Sequence, residues 1–200
     1  MRRRSLEREP RDRVKRPVLY LVSGDDNIKP SHDVLRRTGR RVRYDDAVSD
    51  DAALELREGK QFIVVAHGQS DGTVSWFSSS RGSASRWVWV GMDRPPRRTR
   101  VYFYSCKAGK KLPHYLKDCE SFGHVDVVPM PTGAVKSVVL GFLKQVEYLV
   151  SSTHFDFARW RDYLARYVNK ALVQEVENPT GLLNANSLLM LRRSLGNVDP

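Results

Sequence analysis

The chain has 200 residues, of which 40% are hydrophobic and 28% are charged, and its formal net charge is +11. This length and composition are typical of one globular domain with a buried core, and the apolar runs fall well short of the ~20 residues that a transmembrane helix needs. Two cysteines are too few for a disulfide scaffold in a chain of this size, which leaves reactive, metal-binding or buried thiols as the roles of Cys106 and Cys119.

Much of the positive charge lies in residues 1–16, which carry eight basic and three acidic side chains. No apolar segment follows them as it would in a signal peptide, so we expect a cytoplasmic protein with a disordered basic tail. A second basic cluster is DRPPRRTR, residues 93–100. Both segments are candidates for contact with nucleic acid or an acidic partner, although the tail lacks the aromatic residues of a stacking platform.

The first half of the chain is predicted to alternate strands with helices. Apolar runs rich in β-branched residues predict buried strands, and Ser or Gly at the borders of polar segments predicts helix ends. Ser31 is the predicted N-cap of the first helix. The predicted strands are 17–23, 40–46 and 62–66, with a strand or hairpin arm at 86–92, and the predicted helices are 31–39 and 49–59.

The second half is predicted to end in helices. Its strands are expected at 100–106 and 124–130, with a short helix over 110–123 between them. Apolar residues at helical spacing then predict a helix from Ala134 to Val150, one along 160–172 and a last one over 182–196. This pattern predicts an α/β sandwich with a mostly parallel sheet over residues 17–175, followed by a helical segment or tail at 176–200.

Two of the predicted inner strands end at a side chain that can take part in catalysis. The apolar run 62–66 ends at His67-Gly68, and the run 101–104 ends at Ser105-Cys106, 39 residues after the histidine. Open α/β sheets bind their ligands at the carboxyl ends of the strands. Neighbouring strands would therefore bring the imidazole and the thiol to one crevice.

This pair of residues has the chemistry of a nucleophilic catalyst. A free thiol has a pKa of about 8.5 and is mostly protonated at neutral pH. An adjacent imidazole accepts that proton and stabilises the thiolate, which is the nucleophile. The N–H groups of Gly68 and Cys106 are the predicted oxyanion hole, and Lys107 is a further group that can favour the thiolate.

The two strand ends also resemble a known family. A hydrophobic strand ending in His-Gly, followed by one ending in a small residue and Cys-x-x-Gly, is similar to the layout of the caspase-like (clan CD) cysteine peptidases. AHGQSDG and YSCKAG carry this resemblance, with Ser105 where alanine is usual. HVDVVPM, the loop PTG and the helix from Ala134 resemble the strand, pocket loop and helix that follow the nucleophile in bacterial CHAT-domain proteases.

The resemblance implies a caspase-like three-layer sandwich with helices on both sides of the sheet. It implies a cysteine endopeptidase that forms a thioester at Cys106, with no metal or organic cofactor, acting on a protein or peptide substrate. The setting implied by CHAT proteins is a bacterial regulatory or defence system in which a partner protein activates the protease. The candidate substrate-binding residues, which leave the P1 specificity open, are Asp71, Ser105 and Asp126.

Zinc binding is a second interpretation of Cys106. Four residues of the types that bind zinc have the spacing C-x7-H-x4-C-x4-H. They are Cys106, His114, Cys119 and His124. This spacing lacks the close cysteine pair that is usual in zinc knuckles, so we expect no metal at these residues.

Two further hypotheses belong to other functional classes. A catalytically inactive caspase-like scaffold would act as an interaction module, with nucleic-acid contact through its basic tail. A basic nucleic-acid binder would lose affinity steeply with salt and on deletion of residues 1–16. An aromatic patch is predicted to be core or a docking face for a partner: Trp76, Phe77, Trp87 and Trp89.

Overall fold

The computed structural model describes ten segments of the chain: residues 18–23, 27–38, 41–45, 61–68, 74–77, 84–87, 100–110, 120–151, 157–178 and 181–196. The basic tail at 1–16, the helix predicted over 49–59 and nearly all of the basic cluster at 93–100 lie outside these segments. So do four of the residues singled out above, which are Asp71, Trp89, His114 and Cys119.

Five strands form a parallel central sheet. They are β1 (Val18–Ser23), β2 (Arg41–Asp45), β3 (Gln61–Val65), β7 (Arg100–Tyr104) and β8 (Glu120–Gly123), in the spatial order β2-β1-β3-β7-β8. Every pairing in this sheet is parallel. β2 lies on one side of β1, and β3 and the later strands lie on its other side. The direction in which successive strands are added to the sheet therefore reverses between β1 and β3. The carboxyl edge of the sheet beside this reversal is where open α/β sheets place ligands.

A smaller antiparallel sheet branches off directly after β3. It contains β4 (His67–Gly68), β5 (Val74–Phe77) and β6 (Ala84–Trp87), and Ala66 is the only residue between β3 and β4. His67 pairs with Ser75 in this sheet. The hairpin arm predicted over 86–92 is present from Ala84 to Trp87, and the rest of that range lies outside the described residues.

Four α-helices are described. They are α1 (Lys29–Leu35), α2 (Lys136–Val150), α3 (Phe157–Val176) and α4 (Leu182–Ser194), and 3₁₀ turns extend α1 over Arg36–Thr38 and precede α2 at Gly133–Val135. All four correspond to helices expected from the sequence. None of the helices in the described segments is both long and apolar enough to cross a lipid bilayer.

The start of α1 differs from the prediction. Ile28, and not Ser31, is the N-cap residue, so Ser31 lies inside the helix, where it is buried. Its backbone N–H donates a hydrogen bond to the Ile28 carbonyl at 2.7 Å. The proline at position 30 explains the earlier start, because proline in the first helical turn lacks only an N–H that would have no intrahelical partner.

The segment between β7 and α2 also differs from the prediction. The strand lies at Glu120–Gly123, where a helix end was expected, and residues 124–130 are irregular rather than a strand. Tertiary hydrogen bonds account for this. The His124 carbonyl accepts the Gly109 N–H at 2.8 Å, and the Val125 N–H donates to the Ser194 carbonyl at 2.7 Å. These backbone groups are therefore used by the turn after β7 and by the end of α4, and not by a neighbouring strand.

The core lies mainly between one face of the sheet and helices α2, α3 and α4. Tyr20, Ile63 and Tyr102 project from the sheet into this core, where they join Phe142 of α2, Leu164 of α3 and Leu191 of α4. On the opposite face Val64, Val101 and Phe103 are buried as well. Burial of both faces is the rule for parallel sheets and explains why these strands read as continuous apolar runs.

A buried histidine ties α4 to the central sheet. His124 is fully buried, and its Nδ1 lies 2.6 Å from the Ser194 hydroxyl, which itself donates to the Leu191 carbonyl at 2.7 Å. Ser194 therefore accepts from the Nδ1–H, which leaves Nε2 to accept a hydrogen bond from the Tyr102 hydroxyl. This arrangement requires a neutral imidazole, and burial lowers the pKa of His124 from 6.5 to about 3.

We expect His124 to make the fold sensitive to acid. In the unfolded chain the imidazole binds a proton below pH 6.5, whereas the folded protein resists protonation down to about pH 3. The free energy of unfolding should therefore fall as pH falls through this window, by about 1.4 kcal/mol per pH unit from this group. Urea denaturation of the wild type and of His124→Gln between pH 8 and pH 4.5 measures this slope.

His124→Gln should be less stable at pH 8, because it disturbs the Tyr102 and Ser194 hydrogen bonds, yet its stability should depend less steeply on pH. His32→Gln on α1 is the matched control, because it removes a histidine and leaves His124 in place, so its slope should remain steeper than that of His124→Gln. Equal slopes in the wild type and His124→Gln would contradict the prediction.

Candidate active site

The register of the central sheet pairs β3 with β7 up to two residues before His67 and Cys106. β3 and β7 are neighbours, and Gln61 pairs with Arg100 and Val65 with Tyr104, an offset of 39 residues. Beyond the last pair the two chains remain together, since the Ala66 N–H donates to the Tyr104 carbonyl at 3.3 Å. The same offset separates His67 from Cys106. The predicted juxtaposition of these residues at the carboxyl edge therefore agrees with the strand order and the register.

Direct backbone contact between Gly68 and Cys106 brings the two strand ends together. A Cβ atom on Gly68 would lie 1.7 Å from the Cys106 carbonyl oxygen and 2.8 Å from its nitrogen, so no side chain fits there. The residue after the histidine must be glycine for this approach. It also places the backbone of the two predicted oxyanion-hole residues side by side.

The backbone of Val128 holds the thiol of Cys106. The Val128 N–H donates to Sγ at 3.5 Å, and Sγ lies 3.9 Å from the Val128 carbonyl oxygen. Cys106 is a free, partly buried cysteine. The backbone of one residue, Val128, thus offers a carbonyl acceptor to the thiol and an N–H donor to a thiolate. The role of Val128 was not predicted from the sequence. No sequence signal indicates it, because the contact uses only the backbone of the irregular segment 124–130.

Tyr104 connects that segment to the strand that carries the cysteine. Its hydroxyl donates a hydrogen bond to the Pro129 carbonyl, one residue beyond Val128. Burial, and then the charge of the neighbouring Cys106 sulfur, raises the pKa of Tyr104 well above its usual value. The hydroxyl therefore stays protonated and keeps donating, which fixes Val128 relative to the thiol.

A tight turn follows Cys106. Lys107 has φ 58°, in the left-handed region, and the 3₁₀ turn Ala108–Lys110 comes next. Such a conformation costs a non-glycine residue about 1–2 kcal/mol. Two hydrogen bonds to the segment after β8 hold the turn, from the Lys107 N–H to the Asp126 carbonyl at 3.1 Å and from the Gly109 N–H to the His124 carbonyl. A Cβ on Gly109 would lie 2.2 Å from the Gly123 oxygen, so this contact also requires glycine.

The three candidate substrate-binding residues have different positions. Asp126 is exposed beside the turn after Cys106, and its Oδ1 accepts the Val127 N–H at 2.8 Å. Ser105 is fully buried, and its hydroxyl has no hydrogen-bond partner within the described part of the chain, so it does not present its side chain at the surface. Asp71 lies outside the described residues.

Of the two histidines in the zinc interpretation, His114 lies outside the described residues. Both ring nitrogens of His124 are engaged, by Tyr102 and Ser194, and so neither is available to a metal. In the segments that the structure describes, no three His, Cys, Asp or Glu residues are placed to hold a metal ion.

In the aromatic patch, Trp76 and Phe77 lie in β5 and Trp87 lies in β6.

No protein-family model, curated protein or solved structure matches this chain. The functional assignment therefore depends on the geometry of the strand ends.

We expect Gly68→Ala to disrupt the site. The added methyl group meets the Cys106 backbone, which is not a flexible side chain, so the two strand ends must separate. Overpacking of this kind costs about 1–3 kcal/mol of the free energy of unfolding. Denaturant unfolding measures that loss, and the rate of iodoacetamide labelling at Cys106 should change with it.

Gly196→Ala is the matched control. Gly196 has φ 81°, but a Cβ there meets only a Val125 methyl group at 3.4 Å. This variant should lose about 1 kcal/mol for its left-handed conformation and keep the wild-type labelling rate. If Gly68→Ala behaved like the control, the close approach of the two backbones would be wrong.

Proposed function

We propose that this protein is a cysteine endopeptidase with a His67–Cys106 dyad. The carrying observation is that β3 and β7 are parallel neighbours paired as far as Val65 and Tyr104, two residues before His67 and Cys106, while Gly68 contacts the Cys106 backbone. A thiol and an imidazole delivered together at the carboxyl edge of a sheet are the groups that nucleophilic acyl transfer needs.

The proposed reaction has two steps. His67 takes the thiol proton, and the sulfur attacks the scissile carbonyl carbon, so that the amide bond breaks and a thioester forms. His67 then gives its proton to the leaving amine. In the second step His67 takes a proton from water, the hydroxide attacks the thioester, and the released sulfur recovers the proton. The N–H groups of Gly68 and Cys106 stabilise the oxyanion in both steps.

The proposal includes a specific fold, the caspase-like three-layer sandwich. A caspase-like three-layer sandwich is supported by the five-stranded parallel order and by helices α2, α3 and α4 on one face. Burial of Val64, Val101 and Phe103 supports a second covering layer on the other face. The strand order and the two strand ends support the resemblance to caspase-like peptidases.

The resemblance to CHAT proteins adds a biological setting to the proposal. The enzyme is proposed to be a cytoplasmic bacterial protein with a regulatory or defence role, switched on by a partner protein. Its substrate is a protein or peptide that enters beside Asp126, the exposed carboxylate next to the turn after Cys106. The basic segments at 1–16 and 93–100 are proposed to contact that partner or nucleic acid.

Thiol reactivity tests the dyad before any substrate is known. In a Cys119→Ser background, Cys106 is the one remaining cysteine in the sequence. We expect iodoacetamide to label it rapidly, since an imidazole partner accepts the thiol proton as the sulfur attacks. His67→Ala should slow the labelling at least tenfold, and His32→Ala, which removes the histidine of α1, should change it less than twofold.

The inactive-scaffold alternative makes the opposite prediction. A scaffold should label slowly, with a rate that does not depend on His67. Labelling that is equally slow in the wild type and His67→Ala would therefore reject the peptidase and support the scaffold. A peptide library digested with the wild type and with Cys106→Ala then tests cleavage itself, with new termini expected only from the wild type.

A further inference from the structure

A groove separates α1 from the start of α2. Its volume is about 610 Å³, within the range of sites that hold small molecules. Val34 of α1 and Leu140 of α2 form apolar parts of its wall, and Glu147 lies in its lining. His67 and Cys106 are not among the residues that line it, so the groove is separate from the proposed dyad.

Three cations converge on this groove. Arg37 follows α1, Lys136 is the first residue of α2, and Lys144 lies two turns further along the same helix. Within the described segments none of the three forms an ion pair, whereas the adjacent Arg36 pairs with Asp33 at 3.8 Å. Like charges gathered in one concave site repel one another, and an anionic ligand relieves that repulsion.

The carboxylate in the lining does not neutralise this charge. Glu147 accepts a hydrogen bond from the Tyr20 hydroxyl at 2.8 Å, which holds it toward the sheet. The three cations and this carboxylate leave the described lining with a net positive charge. The groove is therefore electrostatically suited to a ligand that carries more than one negative charge.

The beginning of α2 adds to the same field. Its N-cap residue, Val135, has no side chain able to cap the helix, and the first turn contains no acidic residue. The 3₁₀ turn Gly133–Val135 runs directly into α2, so the amide groups at the start of this turn carry partial positive charge. This field reinforces the cations on the groove, since Gly133 and Ala134 of the turn both line it.

We propose that the groove binds an organic phosphate, a small molecule that combines a phosphate or polyphosphate group with an apolar or aromatic part. The cations and the start of α2 would hold the phosphates, with Arg37 as a planar bidentate donor. The aliphatic walls at Val34 and Leu140 would cover the apolar part. Nucleotides are the commonest ligands with this combination of groups.

Calorimetric titration of the full chain with ATP, in the absence of magnesium, tests the proposal. We expect ATP to bind at least tenfold more tightly than either pyrophosphate or adenosine, because each of these lacks one of the two recognised parts. The double variant Lys136→Ala, Lys144→Ala should weaken ATP binding at least tenfold, since it removes two of the three cations. Leu140→Trp, which fills the groove without changing its charge, should also weaken it.

The matched control removes two positive charges elsewhere. Arg166 and Lys170 are exposed on α3 and do not line the groove, so Arg166→Ala, Lys170→Ala should bind ATP within twofold of the wild type. Circular dichroism confirms that each variant is folded.

Three outcomes would overturn the proposal. Equal losses in the groove and control double variants would mean that ATP responds only to net charge. If pyrophosphate bound as tightly as ATP, the groove would not recognise the organic part of the ligand. ATP that binds equally well to the wild type and to Leu140→Trp would place phosphate recognition elsewhere on the chain. None of these results depends on whether Cys106 is catalytic.

Discussion

The contact between the Gly68 and Cys106 backbones is the constraint on which the rest of the site depends. It is possible only because Gly68 has no side chain, and it brings the ends of β3 and β7 closer than ordinary packing would. The parallel register pairs β3 with β7 as far as Val65 and Tyr104, two residues before the histidine and the cysteine. The branching of the small antiparallel sheet directly after Ala66 follows from the same geometry, because His67 leaves the central sheet as it reaches the edge.

The irregular segment after β8 supports this constraint from the other side. Its peptide groups contact the turn at Lys107, the thiol of Cys106 and the end of α4, while Tyr104 binds its Pro129 carbonyl. These contacts hold Lys107 in a left-handed conformation that an isolated chain would rarely adopt. The buried His124 lies at the start of the segment, so the hydrogen bonds that stabilise the core also position the residues around the thiol.

Prediction from sequence succeeded where one local signal determines the structure. The apolar runs around Ile63 and Phe103 predicted buried strands, and the helical spacing of apolar residues predicted α2 and α3. It failed at 124–130, where Val125 and Val127 have the pattern of a strand but tertiary hydrogen bonds use the backbone. It also misplaced the N-cap of α1, because proline in the first turn moved the helix start ahead of Ser31.

For the candidate site, the sequence by itself determined the chemistry of the strand ends: a histidine and glycine after one apolar run, and a cysteine after another. Strand propensity and burial are local enough to be read from these runs. Only the tertiary structure decided that β3 and β7 are neighbours, that their offset is 39 residues, and that Val128 meets the thiol. Strand order and backbone-to-backbone contacts join residues far apart in the chain, and no local pattern of side chains encodes them.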